Sequence, residues 1–579
     1  MQIGIDFGST YSTISRFDPS SDNVKTITQG PGTPGEIPSV VSIHQRKGTV
    51  DCGLLAKDHI GKGAYRIYEA FKMLLVSADE EMLRARGYDA EHTPQAIAKI
   101  YLKTIINDAL NSEKENRIEN LVICVPNIWS TKQSTKDGRR ILREILKDSD
   151  LPIGDVQVVE EPEAASAFFA YRLEQATKGA FNGHLLLIDY GGGTLDLTLT
   201  QVTSDGKGWM EIGHREDGGA GENHPGQDGK GVIGSAGFAY MQAVVILAMR
   251  EAGILQPEET PEFTDTEFVE AVRELERNLI LNRKRVEDCF HEYGTRFRKM
   301  AAILKDEPRE FISLEYRDED FSITFQQMYQ AYRDTIADEL AREIQSINAK
   351  TRPHIHADPC DPASGQNGDF KIALVGGFNS FCLVRAQLAE IYNFDNNPDV
   401  DPRLSNIPQD LQIRAISLGA ALIAAGRVKR QRIAHYSIGL RNAKGAVGFG
   451  IKYHQILEPD TPSFILRRGK TEDVPENRVV WANLRGNITE FAIEFTERRD
   501  HCQRMLLQKE SLEQLKDLPV YGTYWCGFSL GEDEVITFHA VPVLTPGSNN
   551  DYVEKKIRLD SYSGMFGLTD VEEVEVREI

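Results

Sequence analysis

Leu187-Ile188-Asp189-Tyr190-Gly191-Gly192-Gly193-Thr194-Leu195-Asp196 runs from an apolar strand into three consecutive glycines held between two carboxylates. Without Cβ atoms in the way, successive backbone amides at such a turn can face one anion, and the flanking acids suit a cation carried by that anion. A flexible hairpin would account for the glycines, but two acids and a threonine within the same ten residues point to a phosphate-binding turn.

The chain's first residues repeat the pattern. Gly4-Ile5-Asp6-Phe7-Gly8-Ser9-Thr10-Tyr11 is again a strand entering an Asp-x-Gly turn, here followed by two hydroxyls. Taken alone, an ordinary β-hairpin with turn-forming Asp and Ser explains it equally well. The repetition is the fold signal, because two related strand-turn units facing each other can hold one nucleotide's phosphates between them. A third segment, Ala373-Leu374-Val375-Gly376-Gly377-Phe378, ends a strand in paired glycines, which lets an adenine or ribose lie against bare backbone.

Apolar runs at 3–5, 121–125, 185–188 and 372–375 predict strands. Between them, 93–110 and 328–347 carry apolar residues at the helical period, so the alternation predicts an α/β architecture. Stretches 214–231 and 352–369, rich in Gly, Pro, acids and amides, are expected to be exposed loops. Beyond Gly426 the pattern changes to short β-like runs at 478–484, 488–495, 535–541 and 553–559, which places a domain boundary near Gln431.

With 66 basic against 87 acidic residues the 579-residue chain carries a formal charge of −21, which argues against nucleic acid as a partner. Seven scattered cysteines fit reduced thiols in a reducing compartment. No basic leader precedes the first strand, and the apolar run 236–249 is interrupted by Gln242 and falls short of the roughly 20 residues that span a bilayer. A cytoplasmic protein with no membrane span is expected. His354, His356, Asp358 and Cys360 alternate in a loop, but closed zinc sites use other spacings. A Ser-His-Asp or Cys-His hydrolase is not expected, and no Walker-type loop is present.

In this order and spacing the three segments resemble the ATPase domain of the 70-kDa heat-shock chaperones, within the actin-like (ribonuclease H-like) superfamily. Two further stretches agree: Glu160-Glu161-Pro162-Glu163-Ala164-Ala165 and Ser417-Leu418-Gly419-Ala420-Ala421 look like that family's two connecting helices. The resemblance covers about residues 1–430. It implies a two-lobed α/β ATPase fold, with lobe I about 1–180 plus 405–430 and lobe II about 181–404, followed by a smaller β-rich interaction domain at 431–579. It also implies ATP or ADP with Mg²⁺. Asp6 and Asp189 would hold the ion largely through water; Gly8, Ser9, Thr10, Tyr11, Gly191, Gly192, Gly193 and Thr194 would cradle phosphate; Gly234, Gly376 and Gly377 would line the rest of the nucleotide site. Lys72 matches a phosphate-contacting lysine, Glu161 a glutamate before proline, Asp196 an acid that orients the attacking water, and Pro126 a proline that relays nucleotide state. For Lys72, an exposed helix lysine is the plain alternative.

The chain departs from the pattern at four places. Val232-Ile233-Gly234-Ser235-Ala236-Gly237-Phe238 keeps a glycine but lacks adjacent acids, a form similar to the twelfth-class branch of animals and fungi. The adenine clamp has no counterpart near 290–304, where Arg296, Arg298 and Lys299 stand without the expected acid. Arg427-Val428-Lys429-Arg430-Gln431-Arg432 is basic where an acidic, leucine-rich linker is usual, and the residues after it are too few for a peptide clamp with a helical lid. Phe464-Ile465-Leu466-Arg467-Arg468-Gly469-Lys470 looks like the turn that follows the ATPase domain in the divergent branch. The leading expectation is a slowly hydrolysing, ATP-binding chaperone-like switch that engages a protein partner through 431–579. A nucleotide-binding scaffold without turnover, a small-molecule kinase of the same superfamily and a filament-forming relative stand beside it.

Overall fold

The computed structural model describes residues 1–28, 35–77, 80–126, 138–177, 179–191, 195–206, 210–220, 237–261, 265–293, 297–298, 300, 309–365, 370–394, 401–405 and 409–430, and then 432–433, 437–442, 447–451, 456–457, 463–464, 479–481, 488–494, 502–505, 524–530, 536–542, 555–558 and 573–574. They form two compact units, one within Met1–Asn127 and Ile141–Lys429, the other within Ile128–Arg140 and Arg430–Ile579. The architecture is mixed α/β with several sheets.

In the first unit, strand β1 (Gln2–Asp6) buries Ile3 and Ile5 completely. It pairs antiparallel with β2 (Tyr11–Asp18), which pairs with β3 (Asn23–Ile27). A four-residue helix, α1 (Phe71–Leu74), and a long one, α2 (Pro94–Glu113), follow, the latter capped by the Thr93 side chain accepting from the Ala96 N–H. Strand β4 (Ile118–Val125) then runs parallel to β1, and β5 (Ile153–Glu160) parallel to β4, leading directly into α3 (Glu161–Thr177).

The same order recurs. Strand β6 (Asn182–Tyr190) pairs antiparallel with β7 (Leu195–Ser204), which pairs with β8 (Met210–Ala220). Helices α4 (Gly237–Glu251) and α5 (Thr266–Leu281) come next, and β9 (Phe370–Val375) returns parallel to β6. Two meanders, each with a parallel strand added beside its first strand, thus place Asp6 and Asp189 at corresponding strand ends. Residues 214–220 correct the expectation of a loop starting at 214: glycine and acid composition looks loop-like, but cross-strand pairing to β7 gives this backbone its hydrogen bonds. Residues 221–231 lie outside the described residues.

Helix α6 (Ala415–Ala424) closes the unit onto its own beginning. Every residue is buried, and Ser417 carries its one polar side chain. Ser417 Oγ sits 2.8 Å from both Thr13 Oγ1 and Ser15 Oγ, and Asn120 Nδ2 donates to the Ala424 carbonyl at 3.1 Å. Gly4 of β1 lies so close to Ala420 and Ala421 that a Cβ would overlap them, and a Cβ on Gly419 would overlap the Ala164 carbonyl of α3. Because the obstructing atoms are backbone, Gly419→Ala is expected to destabilise the first unit by about 3 kcal/mol or more, the upper end for overpacked cores. Urea denaturation checks this, and a loss under about 1 kcal/mol would contradict the close crossing.

In the second unit, the described strands form two antiparallel five-stranded sheets and a two-stranded ladder of Arg432–Ile433 with Ile456–Leu457. One contains Ser437–Asn442, Val447–Ile451, Ile488–Glu494, Cys502–Met505 and Glu573–Val574. The other contains Ser463–Phe464, Val479–Trp481, Tyr524–Leu530, Ile536–Pro542 and Lys555–Arg558. Cys526, Phe528, Phe538 and Ala540, opposite one another on two paired strands of the second sheet, are fully buried.

Candidate functional site

The first turn follows from local sterics. At Gly8 a Cβ would overlap the Tyr11 carbonyl, so only glycine allows the chain to reverse so tightly. Ser39 fixes the result: its Oγ donates to the Gly8 carbonyl at 2.7 Å and its N–H to the Thr10 carbonyl at 2.8 Å. Ser9, Thr10 and Tyr11 are half-buried around it, and the Tyr11 hydroxyl accepts from Lys57 Nζ at 2.8 Å.

Asp189 stands directly across the β6–β7 ladder from Asp196 and beside Val375 of β9. Gly376, at φ 81°, lets β9 come down onto this carboxylate: a Cβ there would lie 2.5 Å from Asp189 Oδ1 and 2.5 Å from the Tyr190 carbonyl. A Cβ on Gly377 would meet nothing within 4 Å. Asn379 ties the two strand ends together by donating its Nδ2 to the Ile188 and Val375 carbonyls. Gly191 is half-buried at the end of β6. Gly192, Gly193, Thr194 and Gly234 lie outside the described residues.

Lys72 is not an exposed helix lysine. It is 3% exposed, its Nζ is 2.5 Å from Glu161 Oε1 at the N-terminus of α3, and it lies 5.9 Å from the centre of the Phe7 ring. Glu161 is 8% and Asp189 7% exposed. Burial and the nearby Glu161 push the Asp6 carboxyl up to about 7, against the pull of Lys72. Burial, then Glu161, Asp196 and Asp6, hold Asp189 well above the usual carboxylate range, again opposed by Lys72. The cluster has more carboxylates than cations, so with all of them ionised it would attract a cation.

The raised Asp6 has a stability consequence. The folded state keeps this proton to higher pH than the unfolded chain, whose carboxylates titrate near 4. Its contribution is therefore full below about pH 4 and is lost as pH rises through about 7. In EDTA, wild type should be less stable to urea at pH 8 than at pH 5, and Asp6→Asn should recover about 1–3 kcal/mol of that loss. An unchanged pH slope in the variant would remove Asp6 from the cause.

Other candidates fall elsewhere. Pro126 is buried at the end of β4. Arg298 pairs with Glu390 at 2.9 Å, while Arg296 and Lys299 are outside the described residues, as are 465–470 of the turn at 464–470. Asp358 of the histidine-cysteine loop is engaged by Arg352 at 2.7 Å. Among the described residues no group of three or more His, Cys, Asp or Glu is placed to hold a metal ion. Ser39 and Asn379 were not singled out from sequence. Ser39 carries no local signal, lying 31 residues from the carbonyl that it holds, whereas a carboxamide two residues after a double glycine could have marked Asn379.

Comparison with known proteins finds partial similarity to bacterial chaperones. The chain is 29% identical over 228 residues to the chaperone protein DnaK of Thermotoga petrophila, covering 39% of this chain and 33% of that protein. For DnaK of Thermotoga neapolitana the identity is 28% with the same coverage. For DnaK of Mycoplasmoides gallisepticum it is 26% over 202 residues, 34% of this chain and 30% of that protein. The matched region thus spans about a third of the length of these relatives. No family model matches the chain. It is a distant, partial homologue of DnaK.

Proposed function

We propose that the first unit is a two-lobed, actin-like ATPase of a divergent 70-kDa heat-shock type, in the branch with the Gly-Ser form at 234–235. In this reading it binds ATP with Mg²⁺, hydrolyses it slowly, and uses lobe closure to control a protein partner bound by residues 431–579. The observation that carries it is the buried Lys72–Glu161 ion pair beside Asp6 and Asp189, where two glycine-shaped turns meet a surplus of carboxylates.

The residues fit a hydrated magnesium ion, which is held by few carboxylates and keeps several waters; a cage of three or more protein ligands is not needed. Asp6 and Asp189 would hold it, and when bound it would offset charge on phosphate oxygens. Ser9, Thr10 and Thr194 donate hydrogen bonds to phosphate, Gly8 and Gly191–Gly193 allow its close approach, and Lys72 places its ammonium where negative charge grows during transfer. Asp196 orients the attacking water, with Glu161 fixing Lys72. Gly234, Gly376 and Gly377 border the nucleoside. No described helix is long and apolar enough to cross a membrane, and a cytoplasmic setting belongs to this proposal.

A scaffold that binds nucleotide without turnover is favoured by one observation: Arg298, the described basic residue of the adenine region, is taken up by Glu390. Magnesium-dependent ATP binding and phosphate release, measured separately on wild type and Asp196→Asn, decide between the two. Binding with turnover that drops about 100-fold or more in the variant supports the ATPase. Binding with no wild-type turnover identifies the scaffold, and no binding ends the nucleotide reading.

A further inference from the structure

The first turn treats its donors and its acceptors differently. Among the described residues, no group accepts a hydrogen bond from the N–H or the hydroxyl of Ser9 or Thr10. The carbonyls of Gly8 and Thr10, by contrast, are both held by one residue, Ser39, through its hydroxyl at 2.7 Å and its N–H at 2.8 Å. Ser39 reaches the turn because strand Glu36–Pro38 pairs antiparallel with β2, with Pro38 opposite Tyr11, and the next residue along stands beside Thr10.

Peptide geometry gives these two bonds a directional consequence. A trans peptide is planar, with its carbonyl and the following N–H pointing opposite ways. No described peptide bond is cis. Holding the Gly8 carbonyl on Ser39 therefore aims the Ser9 N–H away from Ser39, and holding the Thr10 carbonyl there does the same for the Tyr11 N–H. Backbone N–H groups turned to one side of a tight turn are what an anion-binding concavity requires.

The Ser39 hydroxyl is itself ordered. A serine hydroxyl has one hydrogen, and here it is committed to Gly8, so in the 3.0 Å contact between Ser12 Oγ and Ser39 Oγ it is Ser12 that donates. Ser12 and Ser39 are both buried, and a hydrogen-bond chain away from water is strengthened by its own polarisation.

We propose that Ser39 is a positioning residue for phosphate: with its hydroxyl ordered by Ser12, it holds the Gly8 and Thr10 carbonyls so that the Ser9 and Tyr11 N–H groups are already turned toward an incoming phosphate oxygen. Ser39 acts through the backbone of the turn and needs no contact with the ligand. Donors fixed in advance bind more tightly because less ordering accompanies binding. The inference rests on the reading of this turn as a phosphate site.

Pyrophosphate with Mg²⁺, titrated calorimetrically into the full chain, probes the turn without a nucleoside. Ser39→Ala should weaken pyrophosphate binding by about tenfold, the effect of losing one ordinary hydrogen bond from the site's support. Ser149→Ala is the comparator, since it removes the same kind of bond elsewhere in the first unit, from a buried hydroxyl to the Leu146 carbonyl at 2.6 Å. It should lower urea stability and leave pyrophosphate affinity within about twofold of wild type. Ser12→Ala, which leaves the Ser39 hydroxyl in place without its donor, should weaken pyrophosphate by about threefold, and it carries the test if Ser39→Ala is not folded. Wild-type affinity in both turn variants, or an equal loss in Ser149→Ala, would overturn the proposal. Pyrophosphate binding that depends on Ser39 in a protein without ATP turnover supports the inference and counts against the ATPase. Turnover with pyrophosphate affinity indifferent to Ser39 overturns the inference and leaves the ATPase standing, and a wild type that binds neither pyrophosphate nor ADP removes both.

Discussion

Lys72→Met is expected to lower ATP turnover by about 10²- to 10³-fold, the usual effect of removing one charge-stabilising group from a transition state. The same change should destabilise the first unit by about 3–5 kcal/mol, because it leaves the buried Glu161 carboxyl without its partner, next to Asp6 and Asp189. These two effects can be separated. In Lys72→Met/Glu161→Leu the buried pair is replaced by apolar side chains of similar size, so urea stability should return to within about 1–2 kcal/mol of wild type. Turnover should not return, since the ammonium is still missing. If the single variant keeps turnover within tenfold of wild type, Lys72 is a structural cation only; if the double variant regains activity, the loss came from folding.

Gly376→Ala should be the second most damaging change. Alanine at φ 81° costs about 1–2 kcal/mol in backbone strain alone, and its Cβ would press on Asp189 Oδ1 and the Tyr190 carbonyl, both 2.5 Å away. Relief requires moving the carboxylate or separating β9 from β6, and a displacement of about 1 Å at a reacting centre is enough for a 100-fold loss. Magnesium-dependent ATP turnover should fall by about that factor, together with a loss of urea stability. Gly377→Ala, whose Cβ meets no protein atom within 4 Å, should keep the stability of wild type. Equal stability of the two variants would show that close approach at Gly376 is unimportant.

The parts of the fold visible in the sequence are those where one residue type serves local and global structure at once. Strands at 3–5, 121–125, 185–188 and 372–375 are apolar because helices cover them, and each lies inside an observed strand. The helix expected at 93–110 is seen as Pro94–Glu113, but 328–347 is broken by a π-helical turn at Arg333–Ala337, which periodicity over a long window averages away. Strand β2 is harder to read. Ser12, Thr13 and Ser15 are buried polar residues, two of them meeting Ser417 some 400 positions later, and no local apolar pattern betrays them. Lys72 was ambiguous for a similar reason. A lysine in a four-residue helix reads as solvent-facing until Glu161, 89 residues away, is brought against it.

The return of α6 onto β1 also bears on how the molecule is made. Chain emerging from a ribosome exposes the Gly4 face of the first strand long before residues 415–424 exist to cover it. The strands of the first sheet are all made by residue 160, but the face that Gly4 presents stays uncovered until residues 415–424 are made. Loop closure across some 400 residues makes this step slow and leaves an apolar strand face open to other chains in the meantime. Truncations ending before residue 415 would leave that face of the first strand permanently uncovered.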